Sequence, residues 1–304
     1  MTIVHIEECF HPSYGYQVQN FCRHHSREHR IHVITGAGMR GNVVKVEPAQ
    51  MARLDADFSE ETGAAIHRLP ISWQWHHKMW LKGLHAKLEE LKPDVIYAHA
   101  LEYLSLPRVL FRGWDRRCVV VTDSHDLPTA SFHKYLRRAY RFVAQDWCVR
   151  QINQRRITCY YTALPVTENM SNYGIDEALQ KDLPIGTTMK SFYRDLPARE
   201  LLRKEWGAGP SDAVLLYTGK HDEDKSPHLF YEAVSSLGAL PRGKLLVVSV
   251  GAQDSAYFEK TCQPVLLRLR EQGIKILVSP AIPSTKLREY YSAADIGVLD
   301  RKSV

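Results

Sequence analysis

Two lysines beside one glycine are the first residues here whose types and spacing suggest chemistry. They lie in Val214 to Val234, VLLYTGKHDEDKSPHLFYEAV. Val214–Tyr217 is a short apolar run that reads as a buried parallel strand. Gly219-Lys220 follows, then a polar loop through Lys225, then Ser226-Pro227. Ser as N-cap with Pro at the first helical position predicts a helix start. A strand, a glycine turn and a helix N-terminus with two ammonium groups suit a phosphate, since free N–H groups and the helix dipole add to the lysine charge. The same spacing also fits an ordinary βα turn with two solvated lysines. With one glycine only, the loop is neither a Walker A loop nor a G-x-G-x-x-G fingerprint.

A second reactive grouping is Val119-Val120-Val121-Thr122-Asp123-Ser124-His125-Asp126. His125 beside Asp126 can act as a base or a hydrogen-bond anchor, with the carboxylate orienting the ring. Asp126 also fits the cap of a helix beginning at Leu127-Pro128. His99 ends the run Val95–His99 and is expected to project into a cleft, though a packed histidine is as common there. Gly15, within Tyr14-Gly15-Tyr16, would let the backbone approach a ligand, or is a plain turn glycine. Asp55-Ala-Asp57 has metal-binding spacing but no strand before it, so no metal site is expected.

These residues need a frame to position them. Apolar runs at Ile3–Ile6, Ile31–Thr35, Val95–His99, Cys118–Thr122, Thr158–Thr162, Val214–Tyr217, Leu245–Val250, Ile274–Val278 and Ile296–Leu299 read as strands. Helical spacing marks Gln17–Arg27, Lys78–Leu91, Leu127–Arg138, His228–Leu237, Tyr257–Gln272 and Lys286–Ala293. Alternating strands and helices predict an α/β fold with parallel sheets flanked by helices. In such sheets ligands sit outside the carboxyl ends of the strands.

The 304 residues allow two domains, and 24% charged with 44% hydrophobic residues is ordinary for a globular protein. No apolar run approaches the ~20 residues needed to span a bilayer. MTIVHIEECF reads as a first strand rather than a leader. Six scattered cysteines without C-x-x-C pairs imply reduced thiols and a cytoplasmic setting. A net charge of +6 suits phosphorylated substrates or an anionic membrane and is too weak to imply nucleic acid. Residues 132–156 carry seven basic residues and one acid around an apolar stripe. With the aromatic and basic stretch 73–80, they are candidates for peripheral contact at the inner face of the membrane. An ordinary core-facing helix with solvated arginines fits 132–156 as well.

The whole chain resembles the retaining, nucleotide-sugar-dependent glycosyltransferases of family 4. Gly219-Lys220 and Lys225 resemble that family's donor-diphosphate loop, with Ser226 where the family has Gly and Lys220 where it has Arg or Lys. Leu91-Lys92-Pro93-Asp94-Val95-Ile96-Tyr97-Ala98-His99 resembles its Lys-Pro-Asp-Val-Ile-His-x-His strand. The stretch ending at His125-Asp126 is similar to its Thr-x-His-Asp strand. Tyr290 to Leu299 resembles its Tyr-x-x-Ala-Asp-Val-x-Val-x-Pro segment.

The resemblance implies two Rossmann-like domains, the GT-B architecture, with an acceptor-side domain over 1–190 and a donor-binding domain over 191–304. It implies that Lys220 and Lys225 hold the diphosphate and that Gly219 and Gly15 allow close approach. Pro280, Ala281 and Ile282 would hold the nucleobase through the backbone. His125 would contact the transferred sugar or acceptor, with Tyr14, Tyr16 and His99 on the acceptor side. It implies a nucleotide-diphosphate sugar as donor substrate, no separate cofactor, no metal, and a glycan or lipid-linked acceptor. It also implies that the family's Glu-x7-Glu motif lies beyond residue 304, so that the C-terminal domain is incomplete. A sugar-nucleotide epimerase of the same fold, and a non-catalytic sugar-nucleotide-binding partner of a transferase, are the alternatives.

Overall fold

The computed structural model describes residues 1–13, 17–38, 46–75, 78–125, 146–186, 192–223, 225–237 and 244–298. The chain divides into two compact units, Met1–Gly186 and Thr187–Val304.

Unit 1 is built on an eight-stranded sheet of order β4-β3-β2-β1-β5-β6-β7-β8. Its strands are β1 (Thr2–Ile6), β2 (Arg30–Ala37), β3 (Ala65–Trp75), β4 (Lys78–Leu81), β5 (Val95–Ala98), β6 (Val119–Ser124), β7 (Thr158–Tyr161) and β8 (Gln180–Asp182). All pairings are parallel except β3 with β4. The helices are α1 (Gln17–His25), α2 (Pro48–Thr62), α3 (Leu84–Leu91), α4 (Ser105–Phe111), α5 (Asp146–Arg155) and α6 (Leu164–Tyr173).

Period-two alternation in β1, β5 and β6 sorts side chains onto two faces. Val4, Ile6, Ile96, Ala98 and Val120 join the larger core under α4, α5 and α6. On the other face His5 pairs in register with Tyr97, and Tyr97 with Val121. That face packs against α1, where Val18 and Cys22 meet Ile31 and Val33 of β2.

Helical spacing predicted one helix over Lys78–Leu91, and the structure corrects this. Lys78–Leu81 is the antiparallel edge strand β4, and the helix starts only at Leu84. Gly83, at φ +80°, makes the break because glycine enters the left-handed region without strain. The predicted helix Leu127–Arg138 lies outside the described residues. The Asp55-Ala-Asp57 stretch is on α2, where Asp55 takes a two-pronged ion pair from Arg68 at 2.5 and 2.8 Å.

Unit 2 carries a four-stranded parallel sheet of order β11-β10-β9-β12. The strands are β9 (Ala213–Thr218), β10 (Leu245–Val250), β11 (Lys275–Ser279) and β12 (Ile296–Val298). Val214, Leu216, Leu246 and Val248 face Leu202 and Trp206 of α7 (Leu196–Glu205). Leu215 and Val247 face Tyr231 and Val234 of α8 (Pro227–Ser235) and Leu266 and Leu269 of α9 (Gln263–Glu271). Burial on both faces explains the near-continuous apolar runs of β9 and β10. The last helix, α10 (Ser284–Ala293), is tied to α7 through Arg199, which donates to the carbonyls of Ser292, Ala293 and Ala294. No helix among the described residues is long and apolar enough to cross a membrane.

Candidate functional site

Strand order locates a crevice in each unit. In unit 1 the chain leaves β1 in one direction through β2 and returns to its other side at β5. In unit 2 it leaves β9 through β10 and β11 and returns at β12. These reversals are switch points, and ligands of open α/β sheets bind outside the strand ends there.

At the unit 1 switch point, Glu7, His99, Asp123 and His125 follow one another at the ends of β1, β5 and β6. Each stands two residues beyond a residue of the His5–Tyr97–Val121 row or belongs to its continuation, so all share one face. Asp123 is fully buried and collects donors. One carboxylate oxygen accepts the Ala100 N–H at 2.7 Å, and the other accepts His99 Nδ1 at 2.8 Å. His125 Nε2 stands 3.5 Å from that second oxygen. Burial would raise the Asp123 carboxyl, but His99 and His125 outweigh it and hold the group well below the usual carboxylate range. Burial likewise pulls His125 down, yet Asp123, with Glu7 and Glu102 behind it, leaves it raised. Glu7 is raised, first by burial. Behind this row, buried Glu8 accepts from the Met79 N–H and from both the N–H and hydroxyl of Ser105, tying β4 to α4. Burial pushes Glu8 up to about 7 against those donors.

His99 therefore ends β5 as expected but does not project into open space. Its side chain is 1% exposed, lies at 4.0 Å centroid distance on the Tyr97 ring, and reaches His5 Nδ1 through Nε2 at 2.9 Å. The sequence suggested Asp126 as the carboxylate beside His125. Asp126 lies outside the described residues, and Asp123 is the carboxylate seen against that ring. Tyr14, Gly15 and Tyr16 also lie outside the described residues.

At the unit 2 switch point, Gly219 and Gly251 are pressed together at the ends of β9 and β10. A Cβ on Gly251 would stand 1.6 Å from the Gly219 carbonyl oxygen, and one on Gly219 would meet the Tyr217 hydroxyl at 3.0 Å. The turn is glycine-dependent for steric reasons. Lys220 is exposed, and its carbonyl accepts the Tyr217 hydroxyl at 3.1 Å; Lys225 is half-buried. Buried His221 is pinned through Nε2 to the Ser249 hydroxyl at 2.7 Å, which meets Tyr231 at 2.6 Å. Pro280, Ala281 and Ile282 form the loop between β11 and α10.

The helix start at Ser226-Pro227 stands where predicted, but Ser226 does not cap it. At φ +44° its backbone is left-handed, and its hydroxyl donates instead to the Glu223 carbonyl at 2.8 Å. Asp222 holds the loop from within, its carboxylate accepting the Lys225 N–H at 3.0 Å and its carbonyl the Ser226 N–H at 3.0 Å.

The stretch 73–80 belongs to the β3–β4 pair, with residues 76–77 outside the described residues. Trp73 and Trp80 are about half exposed, and the Arg108 guanidinium lies 4.2 Å over the Trp80 ring. Trp80 and Arg108, with Phe111, Arg112 and Trp147, border an open cavity of 670 Å³. Of 132–156, only the part from Asp146 onward is described.

No family model and no curated protein sequence matches the chain. Solved structures do. HepE from Anabaena, in complex with UDP and glucose, superposes with a TM-score of 0.66 at 14% identity, over 98% of this chain and 74% of its own. The glycosyltransferase WaaG, involved in lipopolysaccharide biosynthesis, gives 0.62 at 15% identity over 98% and 74%. Sucrose-phosphate synthase from Thermosynechococcus elongatus gives 0.61 at 14% over 98% and 75%. The chain has the GT-B fold of retaining glycosyltransferases. Within that fold, the residues above stand at or beside the strand ends of the two sheets. Neither His5 nor Asp123 was singled out from sequence, although both stand two residues from a polar neighbour on a strand.

Proposed function

We propose that the chain is a retaining glycosyltransferase that moves a sugar from a nucleotide-diphosphate sugar to a glycan or glycolipid acceptor. The observation that carries this reading is the loop after β9. In a GT-B frame, it brings a glycine turn, Lys220, Lys225 and a helix start together at a switch point. Lys220 and Lys225 would hold the diphosphate and stabilise charge on the departing nucleotide, an electrostatic form of catalysis. Gly219 leaves the backbone free of side-chain bulk there, and the backbone of Pro280–Ile282 would hold the base. In unit 1, His125 would contact the transferred sugar or the acceptor hydroxyl. Retention would follow from attack on the same face as the leaving diphosphate.

HepE was solved with UDP and glucose, which makes a UDP-sugar the first donor to test. A thermal-shift panel of UDP-, GDP- and ADP-glucose is the experiment, since a ligand of the folded form raises its melting temperature. A rise with one nucleotide, lost in Lys225→Ala, is expected. A well-folded chain that ignores all three contradicts the proposal.

A second reading, a non-catalytic sugar-nucleotide-binding partner, draws support from Asp222, whose carboxylate and carbonyl already occupy N–H groups of the loop. A melting shift without nucleotide release in the presence of acceptor extracts would favour it. The exposed Trp73 and Trp80 with Arg108 support peripheral membrane contact by unit 1. Binding to anionic vesicles at low salt is expected, and no pelleting there sinks that part.

A further inference from the structure

Aromatic and basic side chains converge on the open cavity of unit 1, and sugar transfer gives them no task there. The cavity measures 670 Å³ and is bordered by Trp80 of β4, His85 of α3, Arg108 and Phe111 of α4, Arg112, and Trp147 of α5. These helices pack on the face of the sheet that carries Val4 and Ile96, opposite the His5–Tyr97 row. Its size lies within the range of about 300–1,000 Å³ typical of cavities that take one small molecule.

The lining is aromatic, and its side-chain polar groups are cations and donors. Phe111 is 79% exposed and Trp80 46%, and the Phe111 and Trp147 ring centroids are 6.4 Å apart. Large rings left open together mark a binding surface rather than scattered exposure. The Arg108 guanidinium lies 4.2 Å over the Trp80 ring and donates from Nη2 to the Leu81 carbonyl at 2.9 Å. Its Nη1 is shut off from water and has no partner among the described residues, a donor that costs stability until an acceptor reaches it. Glu8 is the carboxylate that acts on Arg108, and it is already taken by the Met79 N–H and by Ser105. Arg112 is exposed. His85 accepts the Trp114 indole N–H on Nδ1 at 3.3 Å; an indole only donates, so a neutral His85 carries its hydrogen on Nε2. Burial first, then Arg108 and Arg112, brings His85 down to about 4 and keeps it neutral. Among the described residues no acid lines the cavity.

We propose that this cavity binds one anionic amphiphile, its phosphate or carboxylate head between Arg108 and Arg112 and its alkyl body on Trp80, Phe111 and Trp147. Either head presents the paired oxygens that a guanidinium fork holds. A cationic head would face two like charges and no lining carboxylate. A neutral molecule would leave both guanidiniums without counter-charge, and a small, fully polar anion would leave three rings uncovered. The cavity is sized for a single molecule, so the amphiphile enters as a monomer, and the site requires neither the sugar transfer nor the bilayer contact proposed above.

The test is an NMR titration of the full chain, labelled with 15N in its six tryptophan indoles, with decyl phosphate held below its micelle concentration. Signals are assigned with Trp80→Phe, Trp147→Phe and Trp206→Phe. Trp80 and Trp147 should shift to saturation, while Trp206 of unit 2 should stay in place. Decyl maltoside and inorganic phosphate should each bind at least about tenfold more weakly, since each lacks one half of the ligand. Arg112→Gln should weaken decyl phosphate by about tenfold, the loss of one charge-assisted contact. Phe111→Ser, at a largely exposed position, should weaken it too; unmoved indole signals elsewhere show that each variant is folded. Equal binding of decyl maltoside would overturn the anionic head, and equal binding of inorganic phosphate the alkyl body. No shift of Trp80 and Trp147 with decyl phosphate, or a shift with anionic vesicles alone, would overturn the proposal without any variant. The probe is neither a sugar nucleotide nor a bilayer, so this outcome is separate from those of the transferase and membrane readings.

Discussion

The two crevices occupy equivalent places in their sheets and present charge in opposite ways. In unit 1 the charge is buried: fully buried Asp123 accepts from the Ala100 N–H and His99 and faces His125, whose side chain is 22% exposed. In unit 2 the charge sits on exposed Lys220 and half-buried Lys225, on a loop held by close-packed glycines and by Asp222. Topology thus fixes where a site forms in an open sheet, while burial decides whether its charges are part of the core or wait for a ligand.

That contrast is strongest in stability. Removing Asp123 should strip a buried network of the carboxylate that His99 and His125 face, so Asp123→Ala is expected to cost about 3–5 kcal/mol. Urea denaturation measures it, and a cost under about 1 kcal/mol would mean that the unit 1 network is not coupled. In unit 2 the comparable cost should come from backbone packing rather than charge. Gly251→Ala drives a methyl into the Gly219 carbonyl and is expected to cost about 1–3 kcal/mol.

Acid should separate the units further. Burial lowers His5, His11, His32, His67 and His85 in unit 1, His85 to about 4, while His221 is so lowered in unit 2. Between the unfolded value near 6.5 and the lower folded value, the unfolded chain binds protons that the folded chain does not. Stability from these groups is therefore complete above about pH 6.5 and is lost as pH falls toward 4. His125 has the opposite sign, contributing below about 6.5 and less as pH rises through its folded value. Native-state hydrogen exchange at pH 7.5 and 5 should show amides of β1, β5 and β6 losing more protection than those of β9 and β10. Equal losses would contradict the contrast.

Much of the frame was legible because period-two burial leaves its mark in sequence. β1, β9 and β10 stand out as apolar runs since both of their faces are covered. β3 and β4 were not legible: Ala65–Trp75 carries Pro70 and stays largely half-exposed, and the pattern from Lys78 continues smoothly into that of α3 across Gly83. In the candidate site, Lys220, Lys225 and His125 show themselves by residue type beside a strand end. Asp123 did not, because the carboxylate next to a histidine in sequence draws attention to Asp126, whereas side chains on a strand meet their i±2 neighbours across one face. His5 was hidden within an apolar strand. Ser226 was expected to cap through its hydroxyl, but its left-handed backbone angle suits the glycine that the family resemblance places there.

Smaller effects refine the unit 2 side. Ser226→Gly relieves a left-handed serine and is expected to stabilise by about 0.5 kcal/mol, the ~1–2 kcal/mol of strain less the ~0.5–1 kcal/mol entropic cost of glycine. A loss of stability would show that the Ser226 hydroxyl bond to Glu223 matters more than the angle. Lys220→Ala should leave stability within about 0.5 kcal/mol, because an exposed lysine contributes little to folding.

If Lys220 and Lys225 hold a diphosphate, as proposed above, calorimetric titration of UDP-glucose will show it. The wild-type chain should bind, and the double variant Lys220→Ala/Lys225→Ala, folded and equally stable, should bind at least about tenfold more weakly, since each charged hydrogen bond is worth roughly 1.5–3 kcal/mol. Equal affinity in the two proteins would contradict the claim.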